Sequence, residues 1–302
     1  MTAAEIISKV FLPLSLAVIM LGMGMTLVLS DFTRILKNPK AILIGLTNQL
    51  IFLPIIGFSL AISFNLHPVM AVGLMILATC PGGPTSNLIV QVSRGNIALS
   101  VTLTAIASIV CVFTIPFILS YALAYFGTDP NISIQLPIGE TILQIMGVTI
   151  IPISIGMLIR RLKTSFALRM ERPMRTASTV LFILVFMAVV AANADVMGTA
   201  MKEVGMVTLL LNILTMGLGY LTARLFKLNL TSAISITVES GIQNGTLAIV
   251  IATSILNNYE MGIPTAAYAI WMFLTGGILM WLLGRRPEVV PEQEKLNEEQ
   301  RV

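Results

Sequence analysis

The chain alternates long apolar runs with short polar turns from one end to the other. Cut at those turns and at prolines, it divides into nine apolar segments, near 6–29, 39–63, 68–92, 96–126, 138–159, 177–197, 204–222, 229–257 and 262–283. About 20 residues at 1.5 Å each cross a hydrocarbon core about 30 Å thick, so each segment predicts one spanning helix. The fold class is therefore an all-α polytopic membrane protein, with a transmembrane region over 1–286. Residues 287–302, "EVVPEQEKLNEEQRV" and its preceding proline, are charged and poor in apolar side chains and predict a disordered tail.

Two of the nine segments are interrupted at their middles. The third carries "TCPGGPTSN" (Thr79 to Asn87) and the eighth "VESGIQNG" (Val238 to Gly245). Pro81 and Pro84 remove N–H donors and clash with the preceding turn, and each glycine costs a helix about 1 kcal/mol relative to alanine. Irregular backbone at membrane depth survives only when it is buried in protein or lines a polar cavity. A proline kink would account for Pro81 alone, but not for the Ser86-Asn87 pair that follows. The two interrupted spans are an odd number of crossings apart, so they run in opposite directions. Paired interruptions in inverted halves mark the binding site of many secondary transporters. If the repeat unit is five helices, the first copy has lost its opening helix, and the two halves form an inverted repeat of four plus five.

Charge sets the sidedness. With the N-terminus outside and nine crossings, all but Lys9 and Lys202 of the 18 Lys and Arg fall on the inner side, the largest group being Arg160, Arg161, Lys163, Arg169, Arg172 and Arg175. The positive-inside rule then predicts N-out and C-in. The first run, extending to Leu29 without a small-residue cleavage site, reads as a span and not as a signal peptide. A hydrophobic fraction of 56% and a charged fraction of 11% exclude a soluble domain, and the net charge of +4 reflects topology rather than nucleic-acid binding.

The candidate chemistry centres on Glu239. A central acidic side chain costs about 2.5–3.5 kcal/mol on the insertion scale, and no Lys or Arg lies between residues 229 and 284 to pair with it. Ionised, it needs an external cation; protonated, it can carry a proton or bond helices together. Gln49 lies in the second span, Ser100 and Thr104 share one face of the fourth, and Gln243 is four residues beyond Glu239. All offer oxygen, the donor that hard cations take. Cys80 and Cys111 fall inside apolar spans and indicate neither a disulfide nor a metal site. Ser86 has no histidine within reach, His67 belongs to an outer turn, and no P-loop is present, so neither an enzyme nor an ATP-driven pump is indicated.

"CPGGPTSN", followed by "RGNIALSVTLTAIAS" and by "ESGIQNG" in the penultimate span, resembles the bile acid:sodium symporter family, including its bacterial members. The resemblance covers nearly the whole chain, from "MLGMGMTL" to the last span. It implies a core of spans near 39–126 and 204–283, in which the two broken helices cross near the bilayer midplane, and a panel of spans near 6–29 and 138–197 that moves against it in alternating access. It implies two sodium ions: one held by Ser86, Asn87, Ser100, Thr104 and Glu239, the other by Gln49, Glu239 and Gln243 with backbone carbonyls around Ser240 and Ile242. Pro84, Thr85, Asn87 and Asn244 would face the solute. Many relatives read G-T-A-S-N where this chain has Gly83 to Asn87, and E-V-G-M-Q-N where it has Glu239 to Asn244. The implied sodium ligands survive both changes, while the surface offered to the solute differs.

The expectation is a sodium-coupled symporter for an organic anion, bile acid-like or a smaller carboxylate or sulfonate, in the bacterial cytoplasmic membrane. Sodium ions, the anion and lipid are its partners, with no organic cofactor; the pattern leaves the oligomeric state open, a monomer included. Exposed helix N-termini would attract the anion, so no fixed cation is needed at its site. Proton coupling through Glu239, and a binding or sensor protein without turnover, are the alternatives.

Overall fold

The computed structural model describes residues 6–36, 39–127 and 136–285. The expected tail at 287–302 lies outside them, as do Lys37, Arg286, Lys295 and Arg301. Among the described residues the chain is helical throughout: α1 (Ile7–Thr26), a short α2 (Leu29–Thr33), α3 (Pro39–Ser63), α4 (Pro68–Thr79), α5 (Pro84–Val92), α6 (Ile97–Phe126), α7 (Ile138–Leu162), α8 (Thr164–Ala192), α9 (Ala194–Leu225), α10 (Leu230–Gly241), α11 (Gly245–Ile255) and α12 (Glu260–Gly284). Seven of these, α1, α3, α6, α7, α8, α9 and α12, are long and apolar enough to cross a membrane. The third and eighth apolar segments are each split into two shorter helices, as their glycines and prolines predict.

Local chemistry accounts for most boundaries. Proline stands at the head of α3, α4 and α5, where a missing N–H is harmless. Asn96, Asn229 and Asn244 cap α6, α10 and α11, each side-chain oxygen accepting a backbone N–H two residues into the helix. Within α3, Asn48–Phe52 forms a wide π-turn just ahead of Pro54. A proline cannot bond to the carbonyl four residues back and crowds it, and the wider turn relieves the clash. It also turns Asn48 and Gln49 into the interior.

The expected sixth and seventh spans need correcting. Instead of a basic loop before residue 177, α8 starts at Thr164, and only Asn193 separates it from α9. Good helix formers such as Ala167, Leu168, Met170 and Glu171 carry the helix through the arginines, and Glu171 pairs with Arg175 one turn on at 3.0 Å. Asn193 holds the joint by donating its amide to Val189 O at 2.8 Å and Tyr259 O at 3.3 Å.

Helix α1 packs against α7 and α8, while α9 packs against α10, α12 and α3, and α4 lies against α3 and α6. The α1–α7 approach is close enough that a Cβ on Gly24 would meet the Ile153 backbone and one on Gly156 would stand 2.7 Å from Met25 N. One end of the bundle gathers Arg34 bonded to Ala98 O, Arg94 bonded to Gly284 O, and Lys40 over the Phe226 ring. The other joins Ser8 to Ser254, the His67 N–H to Glu203, and Phe58 to Tyr125. Arg34, Lys40 and Arg94 thus share one end of the bundle.

Candidate cation and anion site at the helix crossing

The two breaks meet in the interior. Gly82 and Gln243 form an isolated antiparallel bridge, and the Asn244 N–H donates to Pro81 O at 2.8 Å. Backbone groups released by one interrupted helix are therefore satisfied by the other, which is how irregular chain is tolerated so far from water.

Glu239, on the last turn of α10, lies against this crossing and is 4% exposed. Three hydroxyls surround its carboxylate. Ser86 at the start of α5 donates to Oε1 at 2.7 Å, Thr104 on α6 donates to Oε2 at 2.8 Å, and Ser100, one turn before Thr104, also reaches Oε1. Gly82 gives the carboxylate room, since a Cβ there would stand 2.5 Å from Oε2. Each hydroxyl has one proton and a second acceptor at hand: Gly83 O at 2.8 Å for Ser86, Asn87 Oδ1 at 2.7 Å for Ser100, and Ser100 O at 3.1 Å for Thr104. By rotating to these acceptors, all three can turn a lone pair toward a cation beside Glu239.

A second set adjoins it. The Gln49 amide donates to Gln243 Oε1 at 2.6 Å and to Cys80 O at 2.9 Å, and the Gln243 amide donates to Ser240 O at 2.9 Å. Gln49 Oε1 and Ser240 Oγ are buried without a hydrogen-bond partner among the described residues. Ile242 supplies the intervening backbone, its N–H donating to Val238 O at 2.8 Å. The donor set is carboxylate, hydroxyl, amide and carbonyl oxygen, and no cluster of three or more His, Cys, Asp or Glu occurs among the described residues. One carboxylate among neutral oxygens suits a hard monovalent cation better than a tightly held divalent one, whose affinity grows with ligand charge.

A cavity of about 300 Å³ opens beside the crossing, lined on one side by Pro84, Thr85, Asn87, Gln243 and Asn244. Four of these are the expected solute-facing residues. The first turns of α5 and α11 border it, so the positive dipole ends of two helices face the space. The opposite wall comes from α1, α7 and α8.

Sequence reasoning missed two parts of this site. Tyr268 on α12 donates its hydroxyl to Gly241 O at 2.8 Å, and the Asn212 amide donates to the same oxygen at 2.8 Å, so two side chains cap the broken end of α10. Arg160, Glu171 and Arg175 line the cavity, although their charges read in sequence only as topology. The readable signal was the stripe Glu171, Arg175, Ser178, Thr179 and Phe182, which recurs at helical spacing on one face of α8.

A bundle with two broken helices bridged at their breaks, a buried carboxylate ringed by oxygen and an adjoining cavity define a membrane transporter by architecture. The sequence profile of the Sodium Bile acid symporter family matches residues 13–200, and the chain belongs to that family. It is a family of sodium-coupled transporters and not of enzymes. The chain is 27% identical over 270 residues to an uncharacterized sodium-dependent transporter, YocS, of Bacillus subtilis, covering 89% of this chain and 81% of that protein. It is 27% identical over 264 residues to the chloroplastic probable sodium/metabolite cotransporter BASS1 of Arabidopsis thaliana, covering 87% of this chain and 64% of that one. It is 25% identical to the human ileal sodium/bile acid cotransporter over 253 residues, 80% of this chain and 68% of the relative. The match thus spans less than two thirds of the plant protein's own length.

Proposed function

We propose that this protein couples the entry of an organic anion to sodium by alternating access. The observation that carries the reading is the ring of three hydroxyls about Glu239, each with an alternative acceptor for its proton, at the crossing of two broken helices. One sodium ion would take Ser86, Asn87, Ser100, Thr104 and Glu239 as ligands, and a second would take Gln49, Glu239, Gln243 and the carbonyls of Ser240 and Ile242. Two cations against one carboxylate leave a net charge of +1 at the crossing. That charge and the two helix N-termini favour an anion beside Pro84, Thr85, Asn87 and Asn244, and the anion in turn holds the cations. Coupling is thus mutual stabilisation, reciprocal by linkage.

If each broken pair crosses the bilayer as one unit, the seven long helices become nine spans in a four-plus-five inverted repeat. The basic end then faces the cytoplasm by the positive-inside rule, with the N-terminus outside. Helices α1, α7 and α8 form a panel and the rest a core, and the cavity between them is the route that opens alternately to each side. The setting is a bacterial cytoplasmic membrane. The solute is a bile acid-like or smaller organic anion, a reading supported by the bile acid in one relative's printed name. Reconstituted vesicles test the reading: uptake of anions from a panel should rise with an inward sodium gradient and collapse when potassium replaces it. Equal uptake under both, or uptake driven by a pH gradient alone, would refute sodium coupling.

A further inference from the structure

Of the six basic residues between 160 and 175, only Arg160 and Arg175 line the cavity. A solvated cluster serving topology alone would have no reason to divide in this way. The two come from different helices, α7 and α8, onto one space. Arg175 is tethered by Glu171 at 3.0 Å, yet both side chains remain about two-fifths exposed, at 43% and 42%. The guanidinium of Arg160 makes no ion pair among the described residues. One fixed charge is therefore open and the other is held by a partner that a ligand carboxylate or sulfonate can replace in kind.

The position of this pair along the cavity is set by α8. Phe182 stands at the crossing, where a Cβ on Gly245 would meet its ring at 3.0 Å. Arg175 lies seven residues earlier, about 10 Å along the helix axis at 1.5 Å per residue. Its side chain leans further toward Glu171, as helical side chains lean toward the N-terminus, which adds up to one turn, about 5 Å. The cavity thus has two electropositive ends, the helix N-termini at the crossing and the arginines about 10–15 Å away.

We infer that Arg160 and Arg175 form a second anion subsite, so that the preferred solute is an elongated organic dianion whose negative groups stand about 10–15 Å apart. The inference rests on the symport reading above and narrows its substrate class. The first negative group sits at the crossing, next to the cations. The second displaces Glu171 from Arg175, and Arg160 completes its neutralisation.

The test is sodium-gradient uptake into vesicles of two series, α,ω-dicarboxylates and α,ω-disulfonates of increasing length, each against the monoanion of equal length. The expected result is a length optimum in the stated range and a KM at least tenfold below that of the matched monoanion. Arg175→Gln should raise the dianion KM about tenfold more than it raises the monoanion KM, a split that a merely structural role would not produce. Glu171→Gln frees Arg175 and should lower the dianion KM. Sodium-driven uptake that ignores the second charge, or an Arg175→Gln variant that weakens both classes alike, overturns the subsite and leaves the symport reading standing. No sodium-driven uptake of either class overturns both.

Discussion

Removing the Ser100 hydroxyl tests whether the oxygen ring holds a cation or only steadies a buried carboxylic acid. Ser100 is fully buried, its oxygen lies 2.7 Å from Asn87 Oδ1, and it reaches Glu239 Oε1. Ser100→Ala deletes one hydroxyl that bonds the Glu239 carboxyl group and would serve the cation when bound. A hydrogen bond to a charged group contributes about 1.5–3 kcal/mol, and at about 1.4 kcal/mol per tenfold the loss corresponds to a sodium affinity weaker by about 10- to 100-fold. The assay is the sodium concentration for half-maximal anion uptake, supported by sodium-dependent thermal stabilisation of the purified protein. Ser108, two turns along the same helix from Ser100, is the control: it is buried and its hydroxyl donates at 2.7 Å to Thr104 O, away from the carboxylate. Ser108→Ala should leave the sodium requirement within about twofold, because only an intrahelical back-bond is lost. Equal, small effects of the two substitutions would refute the assignment of Ser100 to the cation, and with it the claim that the ring is more than helix adhesive.

Glu239→Ala should abolish sodium-stimulated uptake while the protein stays folded, since it removes a group that costs about 2.5–3.5 kcal/mol to insert; loss of sodium's effect on the melting temperature is the second readout. Gly82→Ala should cripple the sodium response, because its Cβ would lie 2.5 Å from Glu239 Oε2, whereas Gly83→Ala, whose Cβ meets nothing nearer than Asn244 Cα at 3.5 Å, should transport within about threefold of the parent. Gly24→Ala forces a methyl into the Ile153 backbone and should lower stability by about 1–3 kcal/mol, seen as earlier aggregation on heating, without changing sodium affinity in the protein that remains folded. Tyr268→Phe removes one of two caps on Gly241 O and should weaken sodium binding less than Ser100→Ala, since the Asn212 amide still donates to that oxygen.

Several features of the site were legible before any coordinates. Apolar runs separated by polar turns are local patterns, so the helices they predict appear, and the glycines and prolines of "CPGGPTSN" and "ESGIQNG" interrupt two of them at the expected places. Ser100 and Thr104 share a helix face by spacing alone. The energetic argument about Glu239 needed only its depth in an apolar run and the lack of a nearby basic residue. The resemblance of the two motifs to one family grouped the oxygen donors that the structure then brings together.

What the sequence determined by itself is whatever depends on near neighbours: helix periods, caps and breaks. Even there, the arginines near residue 170 misled, because basic residues are good helix formers and α8 runs through them. Tertiary structure decided the rest. Glu239 and Ser86 are 153 positions apart, and only packing could join them. The bridge of Gly82 to Gln243, the Tyr268 and Asn212 caps on Gly241 and the turning of Arg160 and Arg175 onto one cavity likewise arise where separate helices meet. Such groupings follow from which faces fit together and which buried polar atoms then find partners, a global condition on the chain that no local pattern encodes.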